Sequence, residues 1–206
     1  RGTILHYLGM IIDLTQKGYA KITMDGMVES IIEDHLTKET AAKTTTSPAS
    51  EDLFKVDPSS PLLPERQREV FHTAVSRMLY VSKRDRPECL ITVGFLVTSV
   101  TKATKEDEHK LQRLIRYVSQ SHATNHKGIT LHIGTKGVYA CGWIDAAHRV
   151  YNDDRSHTGC AVGIGDGDLV HDHSSKQSII TKCSKEAELV SATNGSKQVN
   201  HLRSFI

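Results

Sequence analysis

Val138-Tyr139-Ala140-Cys141-Gly142-Trp143-Ile144 runs straight into Asp145, and this stretch decides how the C-terminal third folds. Seven β-branched, aromatic or small residues, with Gly137 before them and a carboxylate after, predict a half-buried strand. Working outward, residues 129–133 form a second strand candidate, joined to the first by Gly134-Thr135-Lys136-Gly137, a hairpin connection. Residues 159–164 and 178–181 are further strand candidates around the turn Gly165-Asp166-Gly167-Asp168. His171 and His173 flank Asp172 at a turn or strand edge and read best as a solvated loop. Residues 186–205 read as a helix that Gly195 weakens. Three or four antiparallel strands followed by a helix make an α+β unit.

The N-terminal part starts differently. Residues 6–14 are apolar and β-rich, Gln16-Lys17-Gly18 supplies a turn, and residues 19–24 alternate again. Met27, Val28, Ile31, Ile32 and Leu36 then recur at helical spacing. Residues 37–64 hold three consecutive threonines and four of the five prolines, the composition of a linker or long surface loop. Val70, Phe71, Ala74, Val75, Met78 and Leu79 form an apolar helical stripe. Pro87 suits the first position of the next helix, which continues through Leu90, Ile91, Phe95 and Leu96. A third helix over 105–121 turns Leu111, Leu114, Ile115 and Val118 inward, with Glu106, Asp107 and Glu108 near its N-terminus. These stripes are core.

The 206-residue chain carries 26 basic and 24 acidic side chains, a net charge of +2. Neither part is polarised: eighteen basic and sixteen acidic residues precede residue 128, and eight of each follow. Nucleic-acid contact, if made, must come from a local patch. Hydrophobic residues make up 38%, and no run approaches the ~18 apolar residues of a membrane span, which excludes an integral helical membrane protein. Cys89, Cys141, Cys160 and Cys183 are widely spaced with no CxxC pair, pointing to a reducing, intracellular setting without a zinc site. His122 and His126 are four apart, but no Glu follows the first as a HExxH zinc site needs. The chain begins on Arg1, lacks a signal segment, and stops on Phe205-Ile206 with nothing to end its helix. These ends read as those of a fragment.

The candidate site is Asp145, at the end of its strand, with Glu188 early in the last helix. Oxygen ligands from a strand end and a following helix suit Mg²⁺, and two such ions activate water and stabilise a leaving phosphodiester oxygen. On spacing alone, an Asp after a strand is more often a cap and a helical Glu more often solvated. Lys83, Arg84 and Arg86 form the compact basic cluster, with Asp85 inside it. Either a solvated face or a phosphate-contacting patch fits them.

Four colinear stretches carry a family resemblance. They are Tyr7-Leu8-Gly9-Met10; Asp85-Arg86-Pro87-Glu88; His109 with Gln112-Arg113-Leu114-Ile115-Arg116-Tyr117; and a C-terminal group. That group comprises Trp143-Ile144-Asp145-Ala146, His157-Thr158-Gly159, Ser175-Lys176-Gln177 and Ser184-Lys185-Glu186-Ala187-Glu188-Leu189. In this order the chain resembles the back half of a copia-type retrotransposon pol polyprotein, from the end of its reverse transcriptase into its ribonuclease H. The resemblance implies an α+β chain divided as the end of a palm (1–36), a linker (37–64), a helical thumb or connection (65–127) and a partial ribonuclease H-like domain (128–206).

What the family implies transfers residue by residue. Asp145 takes the place of the first-strand Asp, and Glu188, which precedes Leu189, that of the metal-binding helical Glu. Glu186 is then solvated. The family's third carboxylate lies on a strand beyond residue 206, and Asp166, Asp168 and Asp172 sit on the wrong elements to replace it. Lys185 stands where the family usually has Thr and sets a cation beside the site. The thumb placement implies phosphate contact by Lys83, Arg84 and Arg86, with Arg113 and Arg116 as secondary candidates. It also implies an RNA–DNA hybrid or template–primer duplex as partner, together with the rest of the polyprotein, Mg²⁺ in the complete enzyme, and a cytoplasmic (virus-like particle) or nuclear location. The hybrid would be read by shape and 2′-hydroxyls. Tyr151-Asn152-Asp153-Asp154 spells the Y-x-D-D of a polymerase, but in the family that turn precedes the Y-L-G-M strand, so it is rejected here. Two rival readings remain: a decayed, non-catalytic nucleic-acid-binding or structural remnant, and an unrelated cytosolic α+β protein with chance matches.

Overall fold

The computed structural model describes residues 2–37, 43–124, 128–132, 137–166 and 168–206, and the chain divides into two compact units. One comprises residues 1–7, 11–22 and 129–206; the other, residues 8–10 and 23–128. Among the described residues the fold is mixed α+β, with two small antiparallel sheets and five α-helices.

The helical unit contains α1 (Asp25–His35), α2 (Glu65–Ser82), a 3₁₀ turn (Pro87–Cys89), α3 (Leu90–Val97) and α4 (Lys105–Ala123). Helix α4 begins where Thr104 and Asp107 cap one another reciprocally, a capping box. Pro87 occupies the first position of the 3₁₀ turn, where its missing N–H costs nothing. Phe71, Ala74, Val75 and Met78 of α2 are buried, as are Val93, Phe95 and Leu96 of α3 and Leu111, Leu114, Ile115 and Val118 of α4. Their spacing is that of single apolar stripes, and their burial is the main stabilising contribution here.

The proline-rich stretch docks on these helices. Thr45 N–H donates to Gln120 Oε1 at 2.9 Å, Phe54 sits edge-on to Phe95, and Leu53 and Leu63 are buried. Lys110 and Glu106 of α4 hold the backbones of Lys55 and Asp57.

The other unit holds both sheets. The first has the order β1 (Ile4–Tyr7), β2 (Met10–Asp13), β3 (Tyr19–Thr23), β4 (Ile129–His132). The apolar run 6–14, expected as one strand, is broken by a turn at Leu8-Gly9. Both turn residues have positive φ, 49° and 79°, the conformation a two-residue hairpin requires. Strand β3 pairs antiparallel with β4, Tyr19 opposite His132 and Ile22 opposite Ile129. The residues 134–136 of the expected hairpin lie outside the described residues, but its two strands do not pair: β4 pairs with β3, and the strand that follows it lies in the other sheet.

The second sheet has the order β5 (Ala140–Ala147), β6 (Arg155–Ile164), β7 (Leu169–Ile180), followed by α5 (Ser184–Arg203). Strand β5 begins two residues later than expected and runs past Asp145, because pairing to β6 continues to Ala147 opposite His157. Strand β7 is twelve residues long and includes His171 and His173, which therefore lie in a strand and not in a loop. Helix α5 lays Ala187, Ser191 and Gly195 on the sheet. Small residues at this interval bring the helix backbone close, and a Cβ built on Gly195 would fall 2.5 Å from Ile144 Cδ1.

Candidate functional site

Asp145 stands in β5, opposite Gly159 of β6. Gly142 and Ile144 face α5, since an added Cβ at Gly142 would meet Val199 and Ile144 meets Gly195. Strand side chains alternate, so Asp145 shares the other face of the sheet with Trp143, which is 57% exposed. Glu188 is exposed on α5, off the stripe that Ala187, Ser191 and Gly195 bury. Glu186 accepts the Lys182 N–H at 2.6 Å in an exposed hydrogen bond ahead of the helix. Lys185 is exposed beside it.

Asp168 accepts from His132 N–H at 2.9 Å and from the His132 ring at 2.5 Å, while Asp172 lies in β7 with its pKa raised by burial. Among the described residues no three His, Cys, Asp or Glu side chains form a group that could hold a metal ion. Asp145 and Glu188 are not part of such a group, and no reaction step is assigned to them.

The sheet is polar inside. Thr158 and Ser191 hydroxyls lie 2.8 Å apart, and Gln177 Nε2 donates to Thr158 Oγ1 and to the Ala187 carbonyl. These bonds fasten α5 to β6 and β7 where a hydrophobic core is thin. His157, 3% exposed, lies 2.9 Å from Tyr151 Oη and 2.6 Å from Ser174 Oγ. Burial, aided by the charge of His173, lowers its pKa to about 4 and keeps the ring neutral. The Tyr-Asn-Asp-Asp quartet is the turn between β5 and β6. Asp154 there has φ 60° and faces Arg149, while Asp153 pairs with Lys176 at 2.7 Å. Both carboxylates are neutralised by neighbouring cations.

The basic cluster divides. Lys83 is exposed, and Arg84 stacks over the Tyr80 ring at 3.8 Å. Arg86 is 1% exposed, paired with Glu88 at 2.7 Å and bonded to Ser121. Its guanidinium ties the 3₁₀ turn to α4 and offers no donor to solvent, so its place is structural. Asp85 beside it is buried, its pKa raised to about 6 by desolvation. Arg113 and Arg116 stand together on α4: Arg116 is buried against Thr45 Oγ1, and Arg113 borders an open cleft.

His122 lies 3.4 Å from Glu29 and 3.9 Å from Asp25; His126, four residues on, is outside the described residues. All four cysteines are free.

The His132–Asp168 pair was not legible in the sequence, because the two residues are 36 apart and only folding joins them. Tyr19 stacks on His132 with ring centroids 5.4 Å apart, at the edge of a cleft of about 470 Å³ lined by Leu14, Leu131, Ile164 and Val170. Asp168, bonded to both the backbone and the ring of His132, holds the ring in one orientation.

Comparison of the chain with protein families, with curated proteins and with solved structures finds no match. Among the described residues no helix is long and apolar enough to cross a membrane.

Proposed function

We propose that this chain is a segment of a copia-type retrotransposon pol polyprotein, the end of the RNA-directed DNA polymerase joined to the start of its ribonuclease H. One observation carries the reading. A three-stranded antiparallel meander has Asp145 inside its first strand and is followed at once by a helix, packed on the same sheet, with Glu188 in its second turn. That order of elements is what the colinear motifs call for.

In this reading the longer protein cleaves the RNA strand of an RNA–DNA hybrid with Mg²⁺, in the cytoplasm (in a virus-like particle) or nucleus. Asp145 and Glu188 supply two ligands, and a further carboxylate comes from beyond residue 206. Mg²⁺ would polarise the phosphodiester and activate water. Lys83, Arg84 and Arg113 are the phosphate contacts the reading retains, since Arg86 is committed to the core. The rival reading, a non-catalytic remnant of such an element, draws on Lys185, whose exposed ammonium next to Glu186 opposes a cation at the helix start.

The test extends the parent reading frame past Ile206 and assays a labelled hybrid with Mg²⁺ and with chelator. Chelator-sensitive cleavage of the RNA strand, abolished by Asp145→Asn, is the expected result. Inactivity of the extended chain with intact hybrid binding selects the remnant. Absence of both binding and cleavage removes the reading.

A further inference from the structure

We propose that the cleft beside the Tyr19–His132 stack binds a small aromatic carboxylate, its ring on the apolar lining and its anionic end at Lys17. The inference goes beyond the functional reading above and uses none of the residues assigned there. The cleft, about 470 Å³, lies within the unit that holds both sheets. Its walls come from the turn between β2 and β3, from β3 and β4, and from Ile164 and Val170 of β6 and β7. Sites for small organic ligands have this order of volume and combine an apolar lining with a few placed polar groups.

The lining divides in that way. Leu14, Leu131, Ile164 and Val170 supply the apolar part. Leu14 and Tyr19 are each 41% exposed and Val170 is 39% exposed, so three large side chains around one cleft still meet water. Covering them removes apolar surface from water, which is the force that would draw a ring in. The aromatic wall is set before any ligand arrives. The rings of Tyr19 and His132 stack at 17°, and Asp168 fixes His132 through both its N–H and its ring. A preorganised wall lowers the ordering cost of binding, and an aromatic one suits a flat ring better than a flexible chain.

Charge selects the ligand's polar end. Among the described residues that line the cleft, Lys17 carries a full positive charge and none is acidic. Lys17 is exposed and makes no ion pair among the described residues. Its turn is closed by the Tyr19 N–H on the Gln16 carbonyl at 3.1 Å, with Gly18 at φ 85° as a type II turn requires. Gln16, on the same turn, also lines the cleft, and its amide offers a donor to a second carboxylate oxygen. The one carboxylate bonded to the wall, that of Asp168, is committed to His132 and is not among the lining groups. The field at the mouth therefore favours an anion over a neutral or cationic ligand.

The experiment titrates the chain with 2-naphthoate, with the neutral 2-naphthamide and with the cation 2-naphthylmethylamine, following the methyl resonances of Leu131, Ile164 and Val170. Naphthoate should shift all three and bind about threefold or more tighter than the amide, with the amine weakest. Lys17→Gln changes an exposed side chain and should weaken naphthoate by about three- to fivefold, the range of an exposed ion pair, while leaving the amide unchanged. Val170→Glu sets a like charge on the wall and should weaken naphthoate about tenfold or more. If that variant loses its dispersed methyl spectrum, Lys17→Gln carries the test. Equal binding of all three probes, or naphthoate binding that Lys17→Gln does not alter, overturns the proposal. Absence of shifts at the three methyl-bearing residues, with or without shifts elsewhere, also overturns it.

Discussion

Gly195→Ala tests how closely α5 approaches its sheet. An alanine in the middle of a helix is favoured over glycine by about 1 kcal/mol, so an open site would be stabilised. Here the new methyl would lie 2.5 Å from Cδ1 and Cγ1 of Ile144 and 3.1 Å from Cγ2. Two of these atoms lie at the branch point of a β-branched side chain, which cannot swing away without moving β5. Overpacking of this kind costs about 1–3 kcal/mol, and with three atoms in contact the upper half applies. The net expectation is a loss of roughly 1–2 kcal/mol. In an Ile144→Ala background the obstruction is gone, and Gly195→Ala should stabilise by about 1 kcal/mol, a coupling of roughly 2–3 kcal/mol. Trp143, the single tryptophan, lies in β5 and reports on this unit in urea unfolding followed by fluorescence. A neutral or stabilising Gly195→Ala in the unaltered chain, or the same effect in both backgrounds, would refute the close-approach argument.

Three further outcomes are expected. The folded-state pKa of His157, about 4, lies below the ordinary 6.5, so its contribution is present above pH 6.5 and is lost as pH falls toward 4. The Trp143 unfolding midpoint should drop over that interval, by roughly 2–3 kcal/mol in stability, and His157→Gln should flatten the profile. Asp85 has the opposite sign: with a folded pKa of about 6 against 3.8, its contribution is complete below pH 3.8 and is lost as pH rises through 6. Amide exchange in α2 and α4 should therefore quicken between pH 4 and 7 after correction for intrinsic rates, and Asp85→Asn should remove the trend. Finally, among the described residues β5 has only β6 as a neighbour, which leaves one edge of backbone groups without a strand partner there, beside exposed Trp143. Sedimentation should show concentration-dependent association that Trp143→Lys suppresses; a monomer at all concentrations would count against it.

The helices were legible because each hides one apolar stripe: the spacing of Phe71, Ala74, Val75 and Met78 needs no tertiary context. Strand β5 was legible from its β-branched, aromatic and small residues and the glycine before them. Of strand β7 only the end, within the expected 178–181, was legible, since the residues it turns toward α5 include Gln177, fixed by hydrogen bonds to Thr158 and Ala187 and invisible to a hydrophobicity pattern. The Leu8-Gly9 turn was hidden because leucine rarely adopts positive φ. Arg86 looked like part of a solvated charge run, and its burial depends on Ser121, 35 residues away. Asp145 and Glu188 were legible as candidates, but which sheet face Asp145 occupies follows from the packing of Gly195 on Ile144, and a lone glycine in a helix reads first as a weakness.

The pairing of β3 with β4 sets the order of events in folding. Residues 19–22 of β3 bond to residues 129–132 of β4, so the closing loop contains more than a hundred residues. Closing an unstructured loop of that length costs about 3 kcal/mol more than closing a four-residue turn. The intervening helices make mostly local contacts and form fast. Their collapse shortens the effective loop before the strands meet. During synthesis β3 emerges early and stays without its partner until β4 follows, so the first sheet is among the last structures to form.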